Sequence, residues 1–502
     1  MAAVAVTVAF AVTVLAGAGP SDDPDGAGPD GSRTEALAGV VTTTSGPVRG
    51  LADGRVRTWL GLPYAAPPTG DLRWRPPEPV EPWSRVRDAD RYGADCVQPD
   101  RYRFGQAVLT QRTGSSEDCL YLNVSRPDDD SRDLPVVVWL HGGGFFGGSG
   151  VSAIAASGAL VERGIVLVSV NYRLGRLGFF AHPALEQDVG NFGLLDQVAA
   201  LEWVRANAAG FGGDARNVTL VGSSAGAMSV NALMASPAAE GLFERAISQS
   251  APSDVQARPI AEIARREARL LPAGSVEELR SLPADRLLSS TFNTLGGDAP
   301  VLDRVLPQSS VDAFRAGREQ RVPYLVGTTS EEFNDIAFRS FGVDAGALRD
   351  SLGETAAGHE ALVDAYGDDY DSSVLNDLVF ALPSVERAMN HAGRAPTYRY
   401  VFRGSTYSGH GAELPYVFDQ PGARYDARLA DEVADYWVAF ARTGRPEVDG
   451  ATPWPRATSQ QPSAFLLLKP GQLVPETEEP HLERLSLLRV ALDLRRGSAG
   501  GG

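Results

Sequence analysis

The run Val218-Thr219-Leu220-Val221-Gly222-Ser223-Ser224-Ala225-Gly226 decides how the chain is read. An apolar, β-branched stretch breaks into Gly-x-Ser-x-Gly, the pattern of a strand turning sharply into a helix with Ser224 at the apex. A serine on so tight a turn tolerates only small neighbours at minus two and plus two, where Gly222 and Gly226 stand. The turn would lift the hydroxyl clear of a sheet, and the first amides of the following helix would face a developing negative charge. A plain glycine-rich turn containing serines fits these residues too, so the surrounding chain has to choose.

Outward from the elbow, residues 136–140 and 165–170 are short, continuous apolar runs of the kind that fill strands buried on both faces. Residues 152–163 between them have helical spacing. Residues 194–209 form the clearest helix, with Leu195, Val198, Leu201, Glu202 and Val204 at roughly i, i+3, i+4 positions. Residues 246–249, 324–327, 398–402 and 464–468 are strand-like and are separated by helical or irregular segments. This alternation predicts an α/β fold, a mostly parallel sheet with helices on both faces. Residues 40–51, with Ser45-Gly46-Pro47 between β-rich arms, predict an antiparallel hairpin at its N-terminal edge. Residues 63–79 hold six prolines and predict an irregular surface wrap. No composition break divides the chain, so one domain is expected over residues 37–492, with a frayed tail at 493–502.

The 502 residues carry a net charge of −17, and Lys469 is the only lysine. Such an acidic surface repels nucleic acid and anionic membranes, and no basic stripe overrides it. Residues 2–15 are an apolar run too short to span a membrane, and Ala16-Gly17-Ala18 follows with small residues. Residues 1–18 therefore read as a signal peptide, although no Lys or Arg precedes the apolar run; an uncleaved anchor is the alternative. Residues 19–36, rich in Asp, Gly and Pro, read as a flexible leader. The expected location is secreted or extracytoplasmic. An isolated pair of cysteines, Cys96 and Cys119, favours a disulfide in an exported protein and two free thiols in a cytosolic one.

An acyl-transfer serine needs oxyanion donors, a base, and a group that orients the base. His141-Gly142-Gly143-Gly144-Phe145, directly after the strand at 136–140, supplies candidate donors whose amides can approach a carbonyl without a Cβ in the way. The same loop matches the dinucleotide fingerprint at Gly142, Gly144 and Gly147, with Glu162 near the expected ribose position, but it does not open a βαβ unit at the start of a domain. Of the six histidines, His410 stands out, because Ser408-Gly409-His410-Gly411 is a small-residue loop just beyond the strand at 398–402. Glu331 and Glu332 follow the strand ending at Gly327, and position does not choose between them. Thr329-Ser330-Glu331-Glu332 also reads as a capping box, with Glu332 closing on Thr329. The order Ser, acid, His is that of an α/β-hydrolase.

Together with these, Leu60-Gly61-Leu62-Pro63-Tyr64-Ala65, Leu72-Arg73-Trp74, Ser116-Glu117-Asp118-Cys119-Leu120-Tyr121-Leu122-Asn123, Asn171-Tyr172-Arg173 and Asn191-Phe192-Gly193-Leu194 mark a resemblance. So do Phe211-Gly212-Gly213-Asp214, Ser248-Gln249-Ser250 and residues 410–418. Over about residues 40–460 the chain resembles the type B carboxylesterases, the α/β-hydrolase family that includes cholinesterases. The resemblance implies Ser224 as nucleophile, Glu332 as acid and His410 as base. It implies oxyanion donors at Gly143, Gly144 and Ala225, surrounding roles for Ser223, Glu331 and Ser250, and a Cys96–Cys119 disulfide.

The chain also departs from the family. Ser223 stands where a glutamate is usual, Ala227 where a glycine is usual, and Phe333 in place of a glycine after the acid, where it would narrow one pocket wall. The cysteine loop offers only Tyr102 and Phe104 as aromatics, which argues against a choline-type cation. The stretches between Ser250 and Gly327 and between Glu332 and His410 look short for the family, implying a trimmed lid and an open pocket.

The expected activity is hydrolysis of a small-molecule carboxylic ester through an acyl-enzyme, with no metal or organic cofactor, no nucleic acid and no stable membrane insertion. Amide, carbamate or lactone hydrolysis on the same triad is the alternative. A non-catalytic binding or adhesion protein on the same fold is a third, disfavoured because every triad residue is present. Nothing in the sequence reads out an oligomeric state.

Overall fold

The sheet begins with Ala36–Thr42 (β1), Pro47–Ala52 (β2) and Val56–Pro63 (β3), an antiparallel meander whose first turn is the predicted hairpin. The structure, a computed structural model, describes residues 36–99, 101–104, 107–110, 114–151, 158–254, 257–288, 298–333, 364–366, 370–404, 408–419 and 426–499. The expected signal peptide and all of the leader except Ala36 lie outside these residues, as does part of the helix expected at 152–163.

Tyr121–Pro127 (β4) pairs antiparallel with β3, and then Leu134–Leu140 (β5), Val166–Val170 (β6), Gly213–Ser223 (β7), Arg245–Gln249 (β8), Tyr324–Thr329 (β9), Thr397–Phe402 (β10), Phe465–Lys469 (β11) and Gln472–Glu476 (β12) complete the path. The spatial order is β1-β2-β3-β4-β6-β5-β7-β8-β9-β10-β11-β12. Every pair from β6 to β11 is parallel. The parallel centre and the N-terminal antiparallel edge match the expectation. The antiparallel return of β12 on β11 was not expected.

The centre is buried because its strands feed both layers alternately. Along β5, Val136, Val138 and Leu140 pack into one hydrophobic cluster, while Val137 and Trp139 pack into the other. Helices Phe192–Asn207 (α1) and Ala225–Ala235 (α2) build the first layer, and Ala427–Thr443 (α3) builds the second. α1 is buried on more than the one stripe expected of it: Leu194, Val198, Leu201 and Trp203 are buried, Leu195 is half-buried and Glu202 is exposed. The cause is its position between the sheet and other elements.

Several of the resemblance motifs are structural fastenings. Arg73 of one pairs with Glu117 of another, and Arg173 holds buried Asp196 through Nε at 2.8 Å and Nη2 at 2.7 Å. Cys96 and Cys119 form a disulfide. The final helix, Leu482–Ala499 (α4), corrects the frayed tail expected from residue 493, since the chain stays helical to Ala499. Its composition explains this: Leu, Arg and Ala are among the better helix formers, and one interior glycine costs only about 1 kcal/mol.

Candidate active site

Ser224 joins β7 to α2 with φ 57° and ψ −122°, a backbone region that a non-glycine residue occupies only when its surroundings hold it there. Its amide donates to the Gln249 carbonyl at 2.9 Å, and its own carbonyl accepts from the Met228 amide at 2.9 Å. The flanking glycines are compulsory. A Cβ at Gly222 would lie 2.4 Å from the Gly226 carbonyl oxygen, and one at Gly226 would lie 2.1 Å from the Leu140 carbonyl oxygen. The start of α2 is thus pressed against the end of β5.

That contact brings the glycine loop to the serine. A Cβ at Gly142 would stand 3.1 Å from the Ser224 Cβ and 2.8 Å from the Ser223 carbonyl oxygen. Gly143 and Gly144 follow in the same loop, and Ala225 is the first residue of α2. Residues 143–147 turn beside Ser224, and Glu162, which the dinucleotide reading would place at a ribose, makes a surface pair with Arg55 at 3.2 Å instead. His141 belongs to the scaffold. Its buried ring stacks on Tyr172 at 4.4 Å, and its Nδ1 lies 2.8 Å from the Gly142 carbonyl oxygen. Burial pushes its pKa down to about 4, which keeps it neutral near pH 7.

The register of the parallel strands gathers the remaining groups. Ser223 stands opposite Gln249, and Gln249 opposite Gly327, so the segments leaving β7, β8 and β9 emerge side by side at one edge. Glu332 follows β9 and is buried, while the neighbouring Glu331 is exposed. One oxygen of Glu332 accepts the Thr329 amide at 2.8 Å, and the other lies 2.5 Å from His410 Nδ1. The His410 amide donates to the Glu332 carbonyl at 2.8 Å, a second tie between the same two residues. The rings of Phe333 and Phe380 pack on the imidazole with centroids 4.6 and 5.3 Å away. Phe333, expected as a pocket wall, is a buried neighbour of the base.

Ser223 and Ala227 are both buried, at the end of β7 and inside α2 respectively. Ser250 is also buried and faces Glu413, donating its hydroxyl over a long 3.4 Å. Tyr400 reaches the same Glu413 oxygen, also at 3.4 Å. Burial first, and then the charge of Glu332, raise the Glu413 pKa to about 7. Glu413 was not singled out from the sequence, although it lies three residues after His410 inside a motif already recognised. Among the described residues, no group of three His, Cys, Asp or Glu side chains is gathered to hold a metal ion. No described helix is long and apolar enough to cross a membrane.

The carboxylesterase family model matches residues 38–352 and 368–483. The chain belongs to the carboxylesterase family. This carboxylesterase is 37% identical over 472 residues to the fumonisin B1 esterase of Sphingopyxis macrogoltabida, covering 83% of this chain and 84% of that protein. It is 36% identical over 456 residues to the para-nitrobenzyl esterase of Bacillus subtilis (strain 168), covering 83% and 92%. A solved structure titled PNB esterase superposes with a TM-score of 0.76 at 32% identity, over 89% of this chain and 99% of that one. The fold is the α/β-hydrolase fold, and the activity class is ester hydrolysis.

Proposed function

We propose that this carboxylesterase cleaves small-molecule esters through an acyl-enzyme on Ser224, with His410 as general base and acid and Glu332 as its orienter. The observation that carries the reading is the 2.5 Å contact between Glu332 and His410 Nδ1, made by segments that follow β9 and β10, with only β8 between β9 and the strand that leads to Ser224. A carboxylate at Nδ1 keeps that proton in place and leaves Nε2 to accept the serine proton. Ser224 Oγ then attacks the ester carbonyl while the amides of Gly143, Gly144 and Ala225 hold the oxyanion. His410 gives its proton to the departing alcohol, and Glu332 stabilises the imidazolium between the two steps. A water deprotonated by His410 releases the acid and restores the serine. The closeness of Gly142 to Ser224 supports the assignment of the donor loop.

Ser223 leaves this site without the negative charge that a glutamate would put beside the nucleophile. Para-nitrophenyl esters of graded acyl length are the substrates to try first, given the ester hydrolysis in the names of the relatives. The Ser224→Ala protein should lose turnover by about 10^4-fold or more and should no longer react with a fluorophosphonate probe. A variant that kept most of its turnover would remove Ser224 from the mechanism. A parent protein that ignored the probe would favour the non-catalytic alternative.

We also propose an extracytoplasmic location, which the Cys96–Cys119 disulfide supports because such bonds persist in oxidising compartments. Fractionation of expressing cells tests it, and activity confined to the cytosol would contradict it.

A further inference from the structure

Asn376 closes the helix Tyr370–Asn376, directly before the π-helical turn Asp377–Ala381. Its side-chain oxygen accepts the Phe333 amide at 2.8 Å, and its side-chain nitrogen donates to the Phe333 carbonyl at 2.6 Å. One carboxamide thus satisfies both backbone groups of the buried residue next to Glu332, as an adjoining strand would. The turn that follows carries Phe380, which is fully buried. Its ring meets Phe333 edge-on at 5.1 Å and His410 at 5.3 Å.

The turn is itself anchored. The Ser253 amide, from the segment after β8, donates to the Val379 carbonyl at 2.8 Å. Asp377 accepts the Tyr366 hydroxyl at 2.9 Å and pairs with Arg484 of α4 at 2.6 Å. Isolated π turns inside helices recur at functional sites, and this one touches the segment of the acid and the ring of the base together.

We propose that Asn376 is a positioning residue of the active site: by holding the Phe333 backbone it sets where the Glu332 carboxylate stands and keeps the Phe333 and Phe380 rings against the His410 imidazole. The proposal rests on the triad reading. The Glu332–His410 contact is short and directional, and it depends on a segment of chain whose two backbone groups are held by this one amide. Removing the amide takes two hydrogen bonds from the Phe333 backbone and loosens the segment that continues from Glu332. A displacement of about 1 Å at a catalytic group costs on the order of 100-fold in rate.

The test compares Asn376→Leu, which keeps the shape and loses both bonds, with Asn376→Ala and with Val385→Ala. Val385 is buried in the small cluster that also holds Val374 and Leu382, and it lies outside the catalytic machinery. Turnover of para-nitrophenyl acetate, its pH profile, and Tm are measured for each. The Asn376 variants should lose about 10- to 100-fold in kcat with KM little changed, and the pH profile of kcat should move. Val385→Ala should lower Tm and leave kcat and the profile alone.

Folded Asn376 variants with kcat and pH profile within about twofold of the parent would overturn the proposal. An equal loss in Val385→Ala would do so as well, by showing general loosening of the cluster. Should Asn376→Leu fail to fold, Asn376→Ala decides by the same readouts. Failure of the triad reading is told apart by Ser224→Ala, which would then retain turnover.

Discussion

At Glu332 one carboxylate serves two contacts. A carboxylate has two oxygens, and here one caps the Thr329 amide while the other meets His410. The cap holds the carboxylate to its own backbone, so the oxygen offered to the imidazole is not free to rotate away. Glu413 nearby is a different case. Its pKa is raised from 4.5 to about 7, with Glu332, His410 and Tyr400 as the titratable groups acting on it. A carboxyl that holds its proton more tightly folded than unfolded contributes stability that is full below pH 4.5 and lost as pH rises through about 7. Glu413→Gln removes this titration. The Tm difference, variant minus parent, should therefore be larger at pH 8 than at pH 5; thermal melts at the two values check it, and an equal difference would mean that Glu413 titrates normally.

Among the elements, the cysteine pairing was implied by the resemblance, whereas the β5 strand and its glycine loop and the β7–α2 turn were legible from local pattern. Their alternation, their glycines and their small-residue turns are properties of a few consecutive residues. The cysteine loop is also where cross-linking counts. Cys96 and Cys119 lie beside the paired strands Asp95–Cys96 and Ser115–Ser116, next to the Arg73–Glu117 pair. Replacing both cysteines by serine should cost about 3 kcal/mol on the chain-entropy model, read as a lower urea midpoint with a slope no shallower than the parent's, because the denatured chain without the cross-link exposes more surface. An unchanged midpoint would show that the loop is already held by its other contacts.

At the scale of the whole molecule, the C-terminal helix braces the site from a distance. α4 buries Leu485 and Leu488 against the segment that carries Asn376 and Phe380, and Arg484 pairs with Asp377. A chain ending at His481 forfeits both leucines, worth about 1.5–3 kcal/mol each when fully buried. It should show a lower Tm in the same thermal assay. An unchanged Tm would leave α4 as a surface addition.

The sequence by itself determined the parallel sheet, the tight strand-to-helix turn at Ser224, the glycine loop and the chain order Ser224, Glu332, His410, because strand periodicity and backbone sterics act over short stretches. The resemblance singled out Glu332 and His410 from their neighbours. Only the tertiary structure decided that Glu331 faces solvent, that Phe333 packs on the base, and that Asn376, Glu413 and Phe380 surround the site. Those side chains carry no motif of their own; strand register and a π turn bring together residues far apart in the chain. So the tight turn at Ser224 could be read from local pattern and its flanking strands, and the packing around His410 could not.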